Sequence, residues 1–170
     1  MIFQRLLTNM DKRVIEQLQN KSKVLYYAQE YIIRISESGK TVFHTPTNNF
    51  KIGFTTRPIK RYSELNHITF HDVTSSNIKK GISVYCIRRF IDVSQFQDDY
   101  CKDIERTIQG IIVGNGLAVR QNKTQDYFTT QGMAEVTEIG NYFNEMYQDA
   151  IAISSNYKYL KRMLKNGFQV

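Results

Sequence analysis

Residues 50–61 read Phe-Lys-Ile-Gly-Phe-Thr-Thr-Arg-Pro-Ile-Lys-Arg, and this stretch predicts a β-strand that leads directly into a short helix. Gly53 lets the strand backbone come close to another group, because glycine has no Cβ. The Thr-Thr pair can cap the helix, and Pro58 suits its first turn. Arg61 follows Gly53 by eight residues, which places it on the rim of whatever the strand end faces.

The sequence before this stretch predicts the other half of a long hairpin. Residues 24–35 are mostly β-branched or aromatic, as is typical of strands. A Ser-Glu-Ser-Gly turn follows, and strand character then resumes. A turn centred near residue 37 brings Tyr26 roughly opposite Phe50 and Lys51.

Hydrophobic periodicity predicts the remaining elements. We expect helices at 2–19, 57–66, 133–152 and 156–165, a third strand at 82–90, and a helix that follows a capping box at 94–97 and ends at Gly114-Asn115-Gly116. Residues 117–130 are expected to be irregular or extended.

The predicted fold is α+β: a small, mainly antiparallel sheet of three principal strands, flanked by helices, with extra helices at both termini. We divide it into an N-terminal amphipathic helix (1–20), a central domain (21–130) and a C-terminal helical extension packed on that domain (131–170).

Composition and charge restrict the class of protein. The 170 residues are 41% hydrophobic, enough for a core, and the formal net charge of +7 favours a polyanionic partner. Cys86 and Cys101 fit no metal or disulfide pattern, so two buried thiols are expected. We find no signal peptide and no membrane span, which predicts a soluble intracellular protein without a membrane partner.

Four segments of the sequence, taken in chain order, match motifs that occur in the same order in one protein family. They are Val-Leu-Tyr-Tyr-Ala-Gln at 24–29, Lys-Ile-Gly at 51–53, Asp-Ile-Glu-Arg-Thr-Ile at 103–108 and Thr-Gln-Asp-Tyr-Phe at 124–128. Together they resemble the GIY-YIG nuclease superfamily, in the phage-derived branch whose second motif reads Lys-Ile-Gly. The resemblance covers about 105 residues, from Val24 to Phe128.

This resemblance implies a Mg²⁺-dependent endonuclease that hydrolyses DNA phosphodiester bonds, in a phage or viral protein, with RNA left open as a substrate. Glu105 would hold a single metal ion, Arg61 would hold a phosphate oxygen, and Tyr26 with Lys51 would carry the proton chemistry. The chemistry agrees, since phosphodiester hydrolysis needs a base, a cation near the phosphate and relief of charge on the leaving oxygen.

Each of these residues also has an ordinary structural interpretation. Lys51 could be a charge that blocks pairing at an edge strand. Arg61 could form a surface ion pair with Glu64. Glu105 could be a solvated helix acid, and Tyr31 competes with Tyr26 for the first-motif position.

Basic residues outside the four motifs are candidates for contacts to nucleic acid. They are Arg57, Lys60, Lys79, Lys80, Arg88 and Arg89. A further basic patch, with Lys158, Lys161, Arg162 and Lys165, lies in the acid-free segment 154–170. Solvated helix faces are the competing explanation, and His67 is a candidate helper residue that could equally be a surface histidine.

Two other functions remain open. The first motif has no glycine, and 24 residues separate Tyr26 from Lys51, more than a short family hairpin would need. A catalytically degenerate module that binds nucleic acid, or a virion-associated module, on the same fold is therefore an alternative. A protein-interaction domain is another, with terminal amphipathic helices that dock a partner or form an oligomer.

Overall fold

The computed structural model describes residues 8–36, 38, 41–65, 81–121 and 126–165. The described elements, in chain order, are α1 (Thr8–Leu18), β1 (Val24–Ile35), β2 (Val42–Thr55), α2 (Pro58–Leu65), β3 (Ile82–Asp92), α3 (Asp98–Gly114), β4 (Val119–Arg120), β5 (Tyr127–Thr129), α4 (Met133–Asn141) and α5 (Phe143–Lys165). None of these helices is long and apolar enough to cross a membrane.

Within the described ranges the sheet has five strands in the order β3-β1-β2-β5-β4, and every pair is antiparallel. The α+β class is confirmed, whereas the expectation of a three-stranded sheet is wrong. The two extra strands are only two and three residues long, so they are too short for a sequence alternation to indicate. They form because Tyr127–Thr129 pairs with residues 49–51 of β2.

The long hairpin is present, but its register differs from the predicted one. Tyr26 lies opposite Gly53, and Lys51 lies opposite Ala28. Two features cause the shift: the pair Ile35–Val42 centres the turn later than residue 37, and an irregularity between Gln29 and Tyr31 adds residues to β2.

The sheet has two buried faces, which we call front and back. The front face carries Tyr26 and Ala28, which pack with Leu18 of α1 and Tyr62 of α2. The back face carries residues such as Tyr27, which pack against α3, α4 and α5. Because successive side chains of a strand point to opposite faces, Lys51 belongs to the front face, between Phe50 and Ile52 of the back-face core.

Both C-terminal helices contribute to the back-face core, through Val136 of α4 and Phe143 and Ala150 of α5. The break between them falls at Tyr142, so the prediction of a break near residues 153–155 is wrong. Ser154 is buried within the continuous helix α5.

The start of α3 also differs from the prediction. No capping box forms: Gln97 occupies the N-cap without a side-chain bond. Ser94 instead donates its backbone N–H and its hydroxyl to the Asp92 carboxylate. Cys101 is buried in α3 as expected, while Cys86 is only partly buried.

Candidate active site

Tyr26 occupies the front face where β1 and β2 pair, and its position depends on Gly53. A Cβ at Gly53 would overlap the hydroxyl and the ring of Tyr26, so only glycine leaves room for the phenol. Tyr26 is 1% exposed. Burial raises its pKa, and the charges that act on it come from Arg61, Tyr127, Glu105 and Asp126. Its hydroxyl is therefore protonated at neutral pH.

Lys51 lies beside Tyr26 on the front face and is 6% exposed. Its Nζ is 3.7 Å from Oδ2 of Asp126 and 4.1 Å from the centre of the Tyr127 ring. The strand β2 lies between β1 and β5 in the sheet, so Lys51 is on an interior strand. The interpretation of Lys51 as an edge-strand charge is therefore wrong.

Glu105 and Asp126 are held together by the buried amide of Gln109, which is 3% exposed. The Nε2 atom of Gln109 lies 3.2 Å from each of three acceptors: Ile52 O, Glu105 Oε1 and Asp126 Oδ1. An amide nitrogen has two hydrogens, so these three oxygens compete for them. Burial, and then the nearby Asp126 carboxylate, raise the pKa of Glu105 to about 7, against the opposing effects of Lys51, Arg106 and the Gln109 amide.

Arg61 lies on α2, which begins at Pro58, one residue later than predicted, with the Arg57 N–H bonded to Thr55 Oγ1 at 3.0 Å. Its Nη1 is 3.3 Å from Oε2 of Glu64, so the expected surface pair does form. Within the described part of the chain, the buried Nε atom of Arg61 has no hydrogen-bond partner.

The structure thus brings four residues from four elements together: Tyr26 of β1, Lys51 of β2, Arg61 of α2 and Glu105 of α3. The charges of Arg61 and Glu105 both act on the Tyr26 hydroxyl, and that of Lys51 acts on Glu105. We call this group the front cluster, although Glu105 comes from α3, a helix that packs on the back face, and lies close to Asp126 and Lys51. Tyr31 does not belong to it, since it pairs with Pro46 and its hydroxyl lies 3.5 Å from Gln29 Oε1.

Three residues that contact the front cluster were not identified from the sequence: Gln109, Asp126 and Tyr127. Asp126 and Tyr127 belong to the fourth quoted motif, which was used as a family signature and not as a source of functional groups. Gln109 follows Glu105 by four residues, so helical spacing places both on one face of α3. This four-residue spacing could have identified Gln109 as a neighbour of Glu105 from the sequence.

The donor set fits one hard divalent cation. Magnesium is typically held by one or two carboxylates with water and substrate oxygens completing its coordination, and Glu105 with Asp126 supplies two. A cation there would also relieve the repulsion between the two acids, which adds to the effect of burial in raising the pKa of Glu105. No group of three metal-ligating acids, histidines or cysteines occurs among the described residues.

The candidate nucleic-acid contacts fall into separate places. Arg57 and Lys60 are exposed on α2, the helix that carries Arg61. Arg88 and Arg89 instead line a cleft with Tyr27, a back-face residue. His67, Lys79 and Lys80 lie outside the described residues, as do the side chains of the C-terminal basic patch.

A cleft of about 450 Å³ lies away from the front cluster. It lies between α3, α4 and α5 and has an apolar floor that includes Ile139 and Met146. Four acids line it: Glu135, Glu138, Glu145 and Asp149. Their negative charge disfavours a polyanion there, so we do not assign nucleic acid to this cleft.

Comparison with known proteins finds no matching family model, no matching curated protein and no matching solved structure. The GIY-YIG resemblance consequently rests on the four sequence motifs alone.

Proposed function

We propose that the protein is a Mg²⁺-dependent endonuclease that hydrolyses DNA phosphodiester bonds at the front cluster, in the manner of GIY-YIG enzymes. One observation carries the proposal. Tyr26, Lys51, Arg61 and Glu105, chosen from sequence motifs far apart in the chain, lie near one another, and the partly buried carboxylate of Glu105 shares the Gln109 amide with the carboxylate of Asp126.

Arg61 would bind the scissile phosphate. Its Nε donor is unused in the described part of the chain, and a guanidinium can hold phosphate oxygens through charge-assisted hydrogen bonds. These bonds would strengthen as negative charge builds up on the phosphate during attack.

Tyr26 and Lys51 would carry out hydrogen bonding and proton transfer in the reaction. Because burial keeps the Tyr26 hydroxyl protonated, it would donate a hydrogen bond to the attacking water or to a phosphate oxygen. The Lys51 ammonium would first have to release one proton to solvent, and the neutral amine would then take the proton that the water releases as its oxygen attacks phosphorus. Glu105, joined by Asp126, would hold the Mg²⁺ ion, which when bound supplies positive charge beside the leaving oxygen.

The test is nicking of supercoiled plasmid by the purified protein with Mg²⁺, and with EDTA as the metal-free control. We expect cleavage that EDTA abolishes and that Glu105→Ala reduces at least about 100-fold, since metal and proton-transfer groups typically contribute that much. Glu135→Ala is the matched control, because it removes an exposed carboxylate on α4 and should leave the rate unchanged. Equal rates for wild type and Glu105→Ala would contradict the assignment.

A catalytically degenerate nucleic-acid-binding module is the second candidate. The ion pair between Lys51 Nζ and Asp126 Oδ2 favours it, because an ammonium group can contact a phosphate but has no lone pair to accept a proton. This candidate predicts salt-sensitive DNA binding without cleavage at any Mg²⁺ concentration. Lys51→Met separates the two, since it should abolish cutting by an enzyme and only weaken binding by a module.

A further inference from the structure

A basic cleft lies on the back face, away from the front cluster. Its volume is about 270 Å³, and it lies between β1, β3 and the exposed side of α4. The strand β3 is at the edge of the sheet. The register of β3 shifts opposite Tyr27 and Ala28. Tyr27 pairs with Arg89 and Ala28 pairs with Ile87, so Arg88 is an extra residue of β3 that has no opposite residue in β1. This bulge brings two consecutive arginines to the same cleft.

None of the described residues that line this cleft has a carboxylate. Neither Arg88 nor Arg89 forms a salt bridge with any described acid. Their internal contacts are few: Arg89 donates through Nη1 to Arg88 O at 2.9 Å and through Nη2 to Asn141 Oδ1 at 3.5 Å. Both arginines are exposed at the cleft, and no described carboxylate neutralises them, so two positive charges at neighbouring positions would attract an anion there.

The walls of the cleft are fixed by packing. Tyr27 donates its hydroxyl to Val136 O at 2.8 Å, which ties α4 to the sheet. Gly140 lets the helix approach closely, because a Cβ there would come within 2.9 Å of Tyr27 Cε1. On the other side the Arg88 guanidinium lies 5.8 Å from the centre of the Tyr31 ring, a cation–π contact that orients it. The cleft is therefore formed before any ligand arrives.

We propose that this back-face cleft binds the phosphate group of a nucleotide, either a free mononucleotide or the end of a single strand. Arg88 and Arg89 would contact the phosphate, since guanidinium forks match phosphate oxygens. The volume exceeds that of a phosphate alone, and polar groups of Gln29, Thr137 and Asn141 line the remaining space. These amides and hydroxyls suit the hydrogen-bonding groups of a sugar or base. The site is distinct from the proposed catalytic one and does not depend on it.

The experiment is an NMR titration of the ¹⁵N-labelled protein with adenosine 5′-monophosphate, without metal and in the Glu105→Ala background. Adenosine and inorganic phosphate are titrated separately. We expect shift changes centred on residues 88–89 and 137–141, with adenosine 5′-monophosphate binding more tightly than either fragment. The choice of background keeps this result independent of the proposed nuclease, which the plasmid assay tests by itself.

The variant Arg88→Ala/Arg89→Ala should weaken binding at least tenfold. Lys12→Ala/Arg13→Ala is the matched control, because it removes two adjacent exposed charges from α1 and should change affinity less than twofold. Arg88→Lys/Arg89→Lys should keep part of the affinity, since it retains the charge but not the guanidinium fork. A parallel titration with a short 5′-phosphorylated single strand identifies the source of the phosphate by comparing its affinity with that of the mononucleotide.

Several results would overturn the proposal. One is no detectable binding of the mononucleotide, and another is shift changes spread over all basic surfaces. Equal loss of affinity in the α1 control would show that only net charge matters. In those cases Arg88 and Arg89 are solvated charges that protect the edge strand β3 against pairing with another sheet.

Discussion

At the scale of single residues, Gly53 and Tyr26 make the clearest pair. The phenol fills the space that a side chain at residue 53 would need. Gly53→Ala should therefore displace Tyr26, destabilise the protein by about 1–3 kcal/mol as overpacking does, and reduce nicking by about two orders of magnitude through misplacement. Urea unfolding and the plasmid assay measure the two effects.

Gly110 provides the control for this substitution. It is an exposed residue of α3, and a Cβ there would meet nothing within 4 Å. Gly110→Ala should be neutral or stabilising by up to about 1 kcal/mol, because alanine is the better helix former. If both alanine variants behave alike, the contact between Gly53 and Tyr26 does not position the tyrosine.

Glu105 makes stability depend on pH. Its pKa is raised from 4.5 to about 7 in the folded protein, so the folded state binds this proton more tightly than the unfolded chain does. The resulting stabilisation is fully present below about pH 4.5 and is lost as pH rises through about 7. Part of the carboxylate is exposed and screened by solvent, so we expect a loss of about 1–2 kcal/mol and not the larger value that the whole shift implies.

Urea unfolding without metal, at pH 5 and pH 8, measures this loss. Wild type should lose stability relative to Glu105→Gln between the two pH values, because glutamine does not titrate. Glu135→Gln, which alters an exposed acid of α4, should follow wild type. A Glu105→Gln variant with the same pH dependence as wild type would mean that this carboxyl is not buried against Asp126.

At the scale of secondary-structure elements, long periodic segments were predictable and short ones were not. The composition of residues 24–35 predicted β1, which has these bounds. The strand β5 could not be found, because three residues carry no measurable alternation and the segment is extended only through pairing with β2. The predicted capping box at 94–97 does not form, because Ser94 hydrogen-bonds to the carboxylate of Asp92 instead.

The same limit explains what could be predicted of the front cluster. The motifs identified Tyr26, Lys51, Arg61 and Glu105. Each of these residues lies on a helix or strand that the sequence had predicted. The position of Asp126 could not be predicted, since it depends on β5 pairing with the strand that carries Lys51. Nor could sequence reveal that Arg88 and Arg89 lie with Tyr27 on the back face, because the bulge in β3 is a property of the paired strands.

At the scale of the whole molecule, positive charge is not uniform. The acidic cleft beside α4 and α5 disfavours nucleic acid, whereas Arg57 and Lys60 are exposed on the helix that carries Arg61. We therefore expect DNA to approach along α2. Each phosphate contact releases counterions, so the slope of log affinity against log salt concentration reports the number of contacts.

Arg57→Ala/Lys60→Ala should reduce the magnitude of that slope by about 2, because about 0.9 is lost for each phosphate contact on duplex DNA. Fluorescence anisotropy with a labelled duplex over a range of salt concentrations gives the slope. Lys12→Ala/Arg13→Ala changes net charge equally on α1 and should leave the slope unaltered if DNA contacts α2 specifically. Equal reductions in both variants would indicate attraction by net charge alone, and DNA would then have no preferred path to Arg61.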